Sequence, residues 1–243
     1  MKLNQNPWDV LGRKNFNTHL KENEIDPRAA DNILIAWPSI LKELLSEYKQ
    51  AKNIKVLDFG CGTGGFCNKL NRLGFNVTGI DPSREMLKTA RHNSPKSIRY
   101  IKGDQKNLSS LESFHIITSI MTFPFIDNFK DAFKRLVKKL KPNGLIILAD
   151  FNRAWVKVCL SNKVSFANFD SNKDPKKGGK VFGDIRIPVF IRSAKEYDEI
   201  AKLNGLTKIF EDCPPFTKTF IKQYPDKRPK HIPEYLILGY KKI

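Results

Sequence analysis

Two carboxylates at the ends of two short apolar runs, with a turn of four glycines directly after the first run, are the residues of this sequence best placed to do chemistry. The first run, Lys55 to Phe59, carries Asp58 and stops at a turn holding Gly60, Gly62, Gly64 and Gly65. With no side chains there, the backbone can come close to a ligand. Phe66, Leu70 and Leu73 recur at helical spacing, Gly74 suits a helix C-terminus, and a second run from Phe75 to Ile80 ends at Asp81. The pattern predicts strand, turn, helix, strand: one βαβ unit with its ligand at the carboxyl ends of the strands.

Gly60, Gly62 and Gly65 satisfy the GxGxxG spacing of dinucleotide-binding turns, with Asp81 about where a ribose-binding acid belongs. The glycines alone therefore leave two kinds of ligand open, and Asp58 discriminates between them. A carboxylate two residues before the first glycine repels a pyrophosphate and attracts a cation.

The segment VLDFGCGTG resembles motif I of the class I S-adenosylmethionine-dependent methyltransferases, and GIDPSREML resembles their second motif. The likeness continues through KGDQ at Lys102 to Gln105 and LKPNGLIIL at Leu140 to Leu148, so it covers Ile54 to Asp150. It implies an α/β fold: a seven-stranded, mostly parallel, doubly wound sheet whose last strand is antiparallel. It also implies S-adenosyl-L-methionine as cofactor, a ligand with an ammonium and a sulfonium and no phosphate. Carried over position by position, Asp58 and the turn Gly60, Cys61, Gly62, Thr63 and Gly64 would hold the methionine moiety. Asp81, followed by Pro82, would hold the ribose. Met86 would cover the adenine, and Asp104 and Gln105 would bond it. Ser119, where a fourth strand (Phe114 to Met121) ends, would face the methyl group.

The elements that must position these residues can be followed along the chain. Residues 1–53 read as an N-terminal helical segment closing over the cofactor. Met1 to Gly12 is polar and wraps the domain through Pro7 and Trp8. Ala29, Ile33, Trp37, Ile40, Leu41, Leu44, Leu45 and Tyr48 form a helical stripe that Pro38 divides into two helices near Trp37. Arg28 and Trp37 are candidates for contact with cofactor or substrate. Residues 54–243 form the methyltransferase domain. Ser83 is a candidate N-cap, and Ser193 with Glu196 a capping box.

Residues 152–192 fit no core element and read as an insertion that caps the site and sets substrate choice. Ile185, Ile187, Val189 and Ile191 alternate with Arg186, Pro188, Phe190 and Arg192, the period of a half-buried strand. The tract DPKKGGK, Asp174 to Lys180, reads as a basic, solvated turn. Cys213 to Pro233 reads as too polar for core.

The acceptor is less determined. Thr122 to Phe125 is TFPF, which lacks the asparagine or aspartate of the NPPY-type motif in enzymes that methylate base amino groups. Phe123 is therefore a candidate pocket wall, with Tyr197 a further substrate candidate. His19, His231, Tyr197 and Tyr224 are the available proton acceptors, and none stands out as a general base; His115 reads as structural.

Four cysteines without CxxC spacing or nearby histidines indicate neither a metal site nor a disulfide framework. Cys61 reads as a small buried side chain. No apolar run approaches the ~18 residues of a membrane span, and no terminal stretch resembles a signal peptide, so a cytoplasmic protein with no membrane partner is expected. The net charge of +18 raises nucleic acid as a partner, but 32 of the 43 basic residues are lysines dispersed along the chain. The expected function is methyl transfer to an O, N or C atom of a small molecule. An RNA methyltransferase and an NAD-dependent oxidoreductase are the alternatives.

Overall fold

The protein is described here by a computed structural model covering residues 6–19, 24–170, 176–225 and 229–243. In chain order, α1 (Pro7–Arg13) and α2 (Trp37–Glu47) precede β1 (Lys55–Phe59), α3 (Gly65–Arg72), β2 (Asn76–Asp81), α4 (Arg84–Asn93) and β3 (Arg99–Lys102). Then come β4 (Phe114–Ile120), α5 (Phe129–Val137) and β5 (Leu140–Phe151). The chain leaves the sheet for α6 (Arg153–Ser161), β6 (Phe166–Ala167), β7 (Lys177–Phe182) and β8 (Ile185–Phe190). It returns with α7 (Ala194–Leu203), β9 (Leu206–Asp212), α8 (Lys218–Gln223) and β10 (Tyr235–Lys242).

The seven strands of the main sheet lie in the order β3-β2-β1-β4-β5-β10-β9, and β10 runs antiparallel to both neighbours. This is the sheet the motif resemblance implies. Its central strands β1 and β4 are almost wholly buried because both faces are covered, while the edge strands β3 and β9 carry charged, exposed residues. Val56, Ile116 and Ile147 pack with Trp37, Phe66 and Leu70 on one face. Leu57, Ile117 and Ile146, one residue out of phase, pack with Phe133, Tyr197 and Tyr240 on the other. Asp58 lies level with Gly79 on one side and Thr118 on the other, so the three strands bring their polar ends to one edge.

The expected caps form. Ser83 accepts from the Met86 amide at the start of α4, and Ser193 and Glu196 make a reciprocal capping box on α7. The two helical pieces expected to meet near Trp37 do so without a break: a widened π-helical turn, Asn32–Ala36, runs straight into α2. Pro38 falls in the first turn of α2, where a missing N–H costs nothing.

Residues 176–190 depart from the sequence reading. Most of the tract read as a basic turn is strand β7, paired with β6 and β8 in a three-stranded sheet, and Lys180 is buried. Asp174 and Pro175 lie outside the described residues. The alternation along β8 holds, with Ile185, Ile187 and Val189 buried and Arg186 and Pro188 exposed. It stops at Phe190: Arg192, placed outward by the same period, is only 4% exposed. Its guanidinium lies over the Phe129 ring and donates to the carbonyls of Phe123, Ile126 and Asp127, tying down the turn at residues 123–127. Nor is the segment before β10 wholly polar surface, since Phe216 and Phe220 stack on each other and join the core.

Candidate active site

The carboxyl ends of β1, β2 and β4 open into a cavity of about 540 Å³, within the range of small-molecule sites. Asp58 lines it from the tip of β1. Its Oδ1 accepts from Thr118 Oγ1 at 2.8 Å and its Oδ2 from Cys67 Sγ at 3.3 Å. Burial pushes its carboxyl up to about 6, against these two hydrogen bonds. Asp81 lines it from β2, with Oδ2 accepting from the Gly62 amide and Oδ1 from the Ser83 amide, both at 2.8 Å. Burial raises it also to about 6.

The glycine turn between these acids spends its donors on the protein itself. The amides of Gly60 and Cys61 both donate to the Ile80 carbonyl, Gly62 to Asp81, Gly64 to the Cys61 carbonyl, and Gly65 to Thr18 Oγ1. A pyrophosphate needs free amides at this helix N-terminus, and these five are engaged. What remains facing the cavity is acceptor-rich and acidic.

Close approach at the glycines is likewise mostly internal. A Cβ at Gly60 would meet Thr122 Oγ1 at 2.0 Å, and one at Gly64 the Tyr100 hydroxyl at 2.3 Å. Gly62, at φ +53°, has nothing within 4 Å of that position and faces open space. Thr18 seals the turn from outside, with its Oγ1 2.7 Å from Thr63 Oγ1, and His19 Nε2 hydrogen-bonds to the Thr63 carbonyl. Burial lowers the His19 pKa. The Cys61 thiol is raised to about 11, chiefly by burial, which leaves it protonated and unreactive.

Beyond the turn, Pro82, Met86, Asp104 and Gln105 complete this side of the cavity. Met86 is held one turn into α4, only 2% exposed. Asp104 Oδ1 accepts from the Lys106 amide at 2.7 Å, which fixes its loop. Helix α1 is tied to the same region: Asp9 Oδ1 accepts from Ser83 Oγ at 2.6 Å and from the Glu85 amide at 3.2 Å, a cap on α4 supplied from more than 70 residues away.

The opposite side is aromatic. Trp8 meets Phe125 edge-on at 4.7 Å and Phe182 at 6.3 Å, and Phe125 meets Phe151 at 6.4 Å. Lys180, Glu234 and Tyr235 also line this end. Burial, aided by Asp31 and Glu234, raises the Tyr235 hydroxyl, which stays protonated.

Of the residues singled out in the sequence, Asp58, Gly60, Cys61, Gly62, Thr63, Asp81, Pro82, Met86, Asp104 and Gln105 line this cavity, as do Arg28 and Trp37. Arg28 is spoken for: its guanidinium forks onto the Asp26 carboxylate at 2.6–3.1 Å and donates to the Lys14 carbonyl. Trp37 packs against Phe66 with ring centroids 5.3 Å apart.

Four others are not in the lining. Gly64 is turned toward Tyr100. Ser119 follows Thr118 on β4 and so faces the other side of the sheet, where its Oγ is buried with no hydrogen-bond partner among the described residues. Phe123 is core, against Phe59, Phe133 and Tyr197. Tyr197 is also core, fully buried and donating its hydroxyl to Asp150. Lys180 and Glu234 line the cavity without having been singled out; a lysine in a glycine-rich basic tract and an acid after a proline carry no positional signal.

Residues 33–209 match a family model described as a methyltransferase domain. A ubiquinone biosynthesis O-methyltransferase of Bradyrhizobium diazoefficiens is 33% identical over 111 residues, 44% of this chain and 44% of that protein. A malonyl-[acyl-carrier protein] O-methyltransferase of Buchnera aphidicola is 33% identical over 121 residues, 46% of this chain and 49% of that one. The chain thus spans about half the length of the curated relatives it matches. A solved S-adenosylmethionine dependent methyltransferase of Mesorhizobium loti shares the fold, with a TM-score of 0.63 and 19% identity over 85% of this chain and 97% of that one.

Proposed function

The chain belongs to the methyltransferase-domain family, and from that premise we propose that it transfers the methyl group of S-adenosylmethionine to a nucleophilic atom of a small molecule. The observation that carries the cofactor is the turn between β1 and β2. Two buried acids flank it and five of its amides are engaged, so the site offers negative charge and acceptors to a cation and little to a phosphate. This weighs against a dinucleotide cofactor.

In this reading Asp58 draws the ammonium and Asp81 accepts from the ribose hydroxyls while still holding Gly62 in place. Asp104, Gln105 and Met86 enclose the adenine. The cofactor, once bound, supplies a methyl group on a sulfonium, already a good electrophile. The protein's work is then to align an acceptor and exclude water, which in favourable intramolecular cases is worth ~7–11 kcal/mol.

Residues 1–53 would close over this donor end, and residues 152–192 over the acceptor end, where Lys180, Val181 and Phe182 join Trp8, Phe125 and Phe151. An aromatic pocket of this size suits a small acceptor better than an RNA strand. The names of the two curated relatives favour oxygen as the methylated atom. Among the described residues no helix is long and apolar enough to cross a membrane. All four cysteines are free thiols, which supports a cytoplasmic setting.

Calorimetry with S-adenosylmethionine, S-adenosylhomocysteine and NAD tests the reading. The first two should bind and NAD should not. Binding of NAD without the others would overturn it.

A further inference from the structure

Met121, the residue after β4, has φ +52°, in the left-handed region. Asn15, Asn53, Asn143 and Asn168 lie there too, but asparagine tolerates that conformation through local hydrogen bonds of its short side chain. A methionine has no such compensation, so the surrounding structure must hold it in place. Its amide donates to the Ala149 carbonyl of β5 at 2.8 Å. The chain then folds back on the glycine turn, where Thr122 Oγ1 donates to the Gly60 carbonyl at 3.4 Å.

An extended strand turns only every second side chain to one face, and β4 continued at that period would turn Met121 away from the cavity, as it does Ser119. Yet Ile120, Met121 and Thr122 all line the cavity, because the left-handed bend brings three consecutive residues to one surface. β4 lies between β1 and β5 in the sheet. Met121 therefore stands between Asp58, near the tip of β1, and Phe151, at the end of β5, both of which line the same cavity. Partly buried, it packs against the apolar cluster that holds Trp37 and Phe66 and also against the one that holds Phe151 and Trp155. It occupies the seam between the donor and acceptor ends.

Resting on the methyltransferase reading above, we propose that Met121 sets the size of the alkyl group that the bound sulfonium can carry. Its side chain walls the space at the seam so that a methyl fits and a longer chain does not, and the left-handed backbone holds that wall where the strand alone would have withdrawn it. A packed wall of this kind is sensitive to a single added methylene.

Calorimetry on the full chain tests this with S-adenosylmethionine, its ethyl homologue S-adenosylethionine, and S-adenosylhomocysteine, which carries no alkyl group on sulfur. The wild type should bind the methyl sulfonium about tenfold more tightly than the ethyl one. Met121→Ala and Met121→Gly should each narrow that preference to about twofold, while S-adenosylhomocysteine affinity stays within about threefold of wild type. A residue that only fills the core would change all three affinities alike. Urea unfolding of the same variants reads the backbone: both lack the side chain, and the glycine variant should be the more stable, the reverse of the usual order, since glycine adopts a positive φ without strain. Equal methyl and ethyl affinity in the wild type, an undiminished preference in the variants, or a Met121→Gly chain no more stable than Met121→Ala would overturn the proposal. If Met121→Ala does not fold, the methyl-to-ethyl ratio of Met121→Gly decides it alone. A wild type that binds neither S-adenosylmethionine nor S-adenosylhomocysteine would instead overturn the methyltransferase reading, and this proposal with it.

Discussion

The donor end of the cavity takes most of its chemistry from residues 58–65 and 81–86, two stretches joined by one helix, whereas the acceptor end draws Trp8, Phe125, Phe151, Lys180 and Glu234 from five separated segments. The first is a turn with five amides already hydrogen-bonded. The second is a wall of rings beside the buried Lys180 and Glu234. On the proposed reading, the difference follows from what each half would bind. A cofactor common to many enzymes can be held by a compact local unit, while a particular acceptor needs a wall that can be reshaped without disturbing that unit.

The largest test of where that wall ends compares two neighbouring phenylalanines. Phe123→Ala removes a ring packed in the core and should cost about 3–5 kcal/mol of stability in urea unfolding. Phe125→Ala, at the cavity surface, should cost clearly less. Equal losses would mean the boundary between core and acceptor wall has been misdrawn.

Next in size is Asp81→Ala, which strips the Gly62 and Ser83 amides of their acceptor and should weaken S-adenosylhomocysteine binding about 100-fold by calorimetry. Unchanged affinity would break the assignment of the donor end. A pH titration is expected to have a smaller effect. With Asp58 and Asp81 at about 6, lowering the pH from about 7 to about 5 neutralises them, so S-adenosylmethionine affinity should fall about tenfold per acid coupled to the cation.

The stability of the empty protein responds with the opposite sign. These acids are raised above the ordinary 3.8, so their contribution to stability is fully present below about 4 and lost as pH rises through about 6. In Asp58→Asn the Asp58 share of both pH effects should vanish. The smallest change is expected for Trp8→Ala, which should leave S-adenosylhomocysteine binding within about twofold while raising the acceptor KM several-fold. A large loss of cofactor binding there would mean the two ends are coupled through α1 and its cap on α4.

How much could be read beforehand follows the same division. Asp58 and Asp81 were legible because strand ends and a glycine turn are local patterns. The role of the glycines was less so: their amides and their close contacts go to Ile80, Asp81, Thr122, Tyr100 and Thr18, which spacing cannot reveal. Ser119 and Phe123 lie at the end of a strand pointing at the site, yet neither enters it: Thr118 bonds Asp58, so the next residue on β4 faces away, and Phe123 turns into the core in the turn after the strand. Arg192 was misread by carrying a period of two past the end of β8, where the chain is free to turn inward.

Lys180 marks the limit most clearly. In sequence it closes a lysine- and glycine-rich tract, and composition there argues for a solvated turn. Its burial depends on β7 pairing with Phe166 on one side and Ile187 on the other, which sets the ammonium among rings from β5, α6, β6 and β7. The sequence by itself determined the first βαβ unit, the glycine turn and the acids that fit the turn to a cation, because each depends on residues a few positions apart and on a periodicity the backbone enforces, whereas the whole sheet was legible only through the motif resemblance. The tertiary structure alone decided what stands opposite, because a pocket wall is made by side chains that meet only once distant strands have found their register.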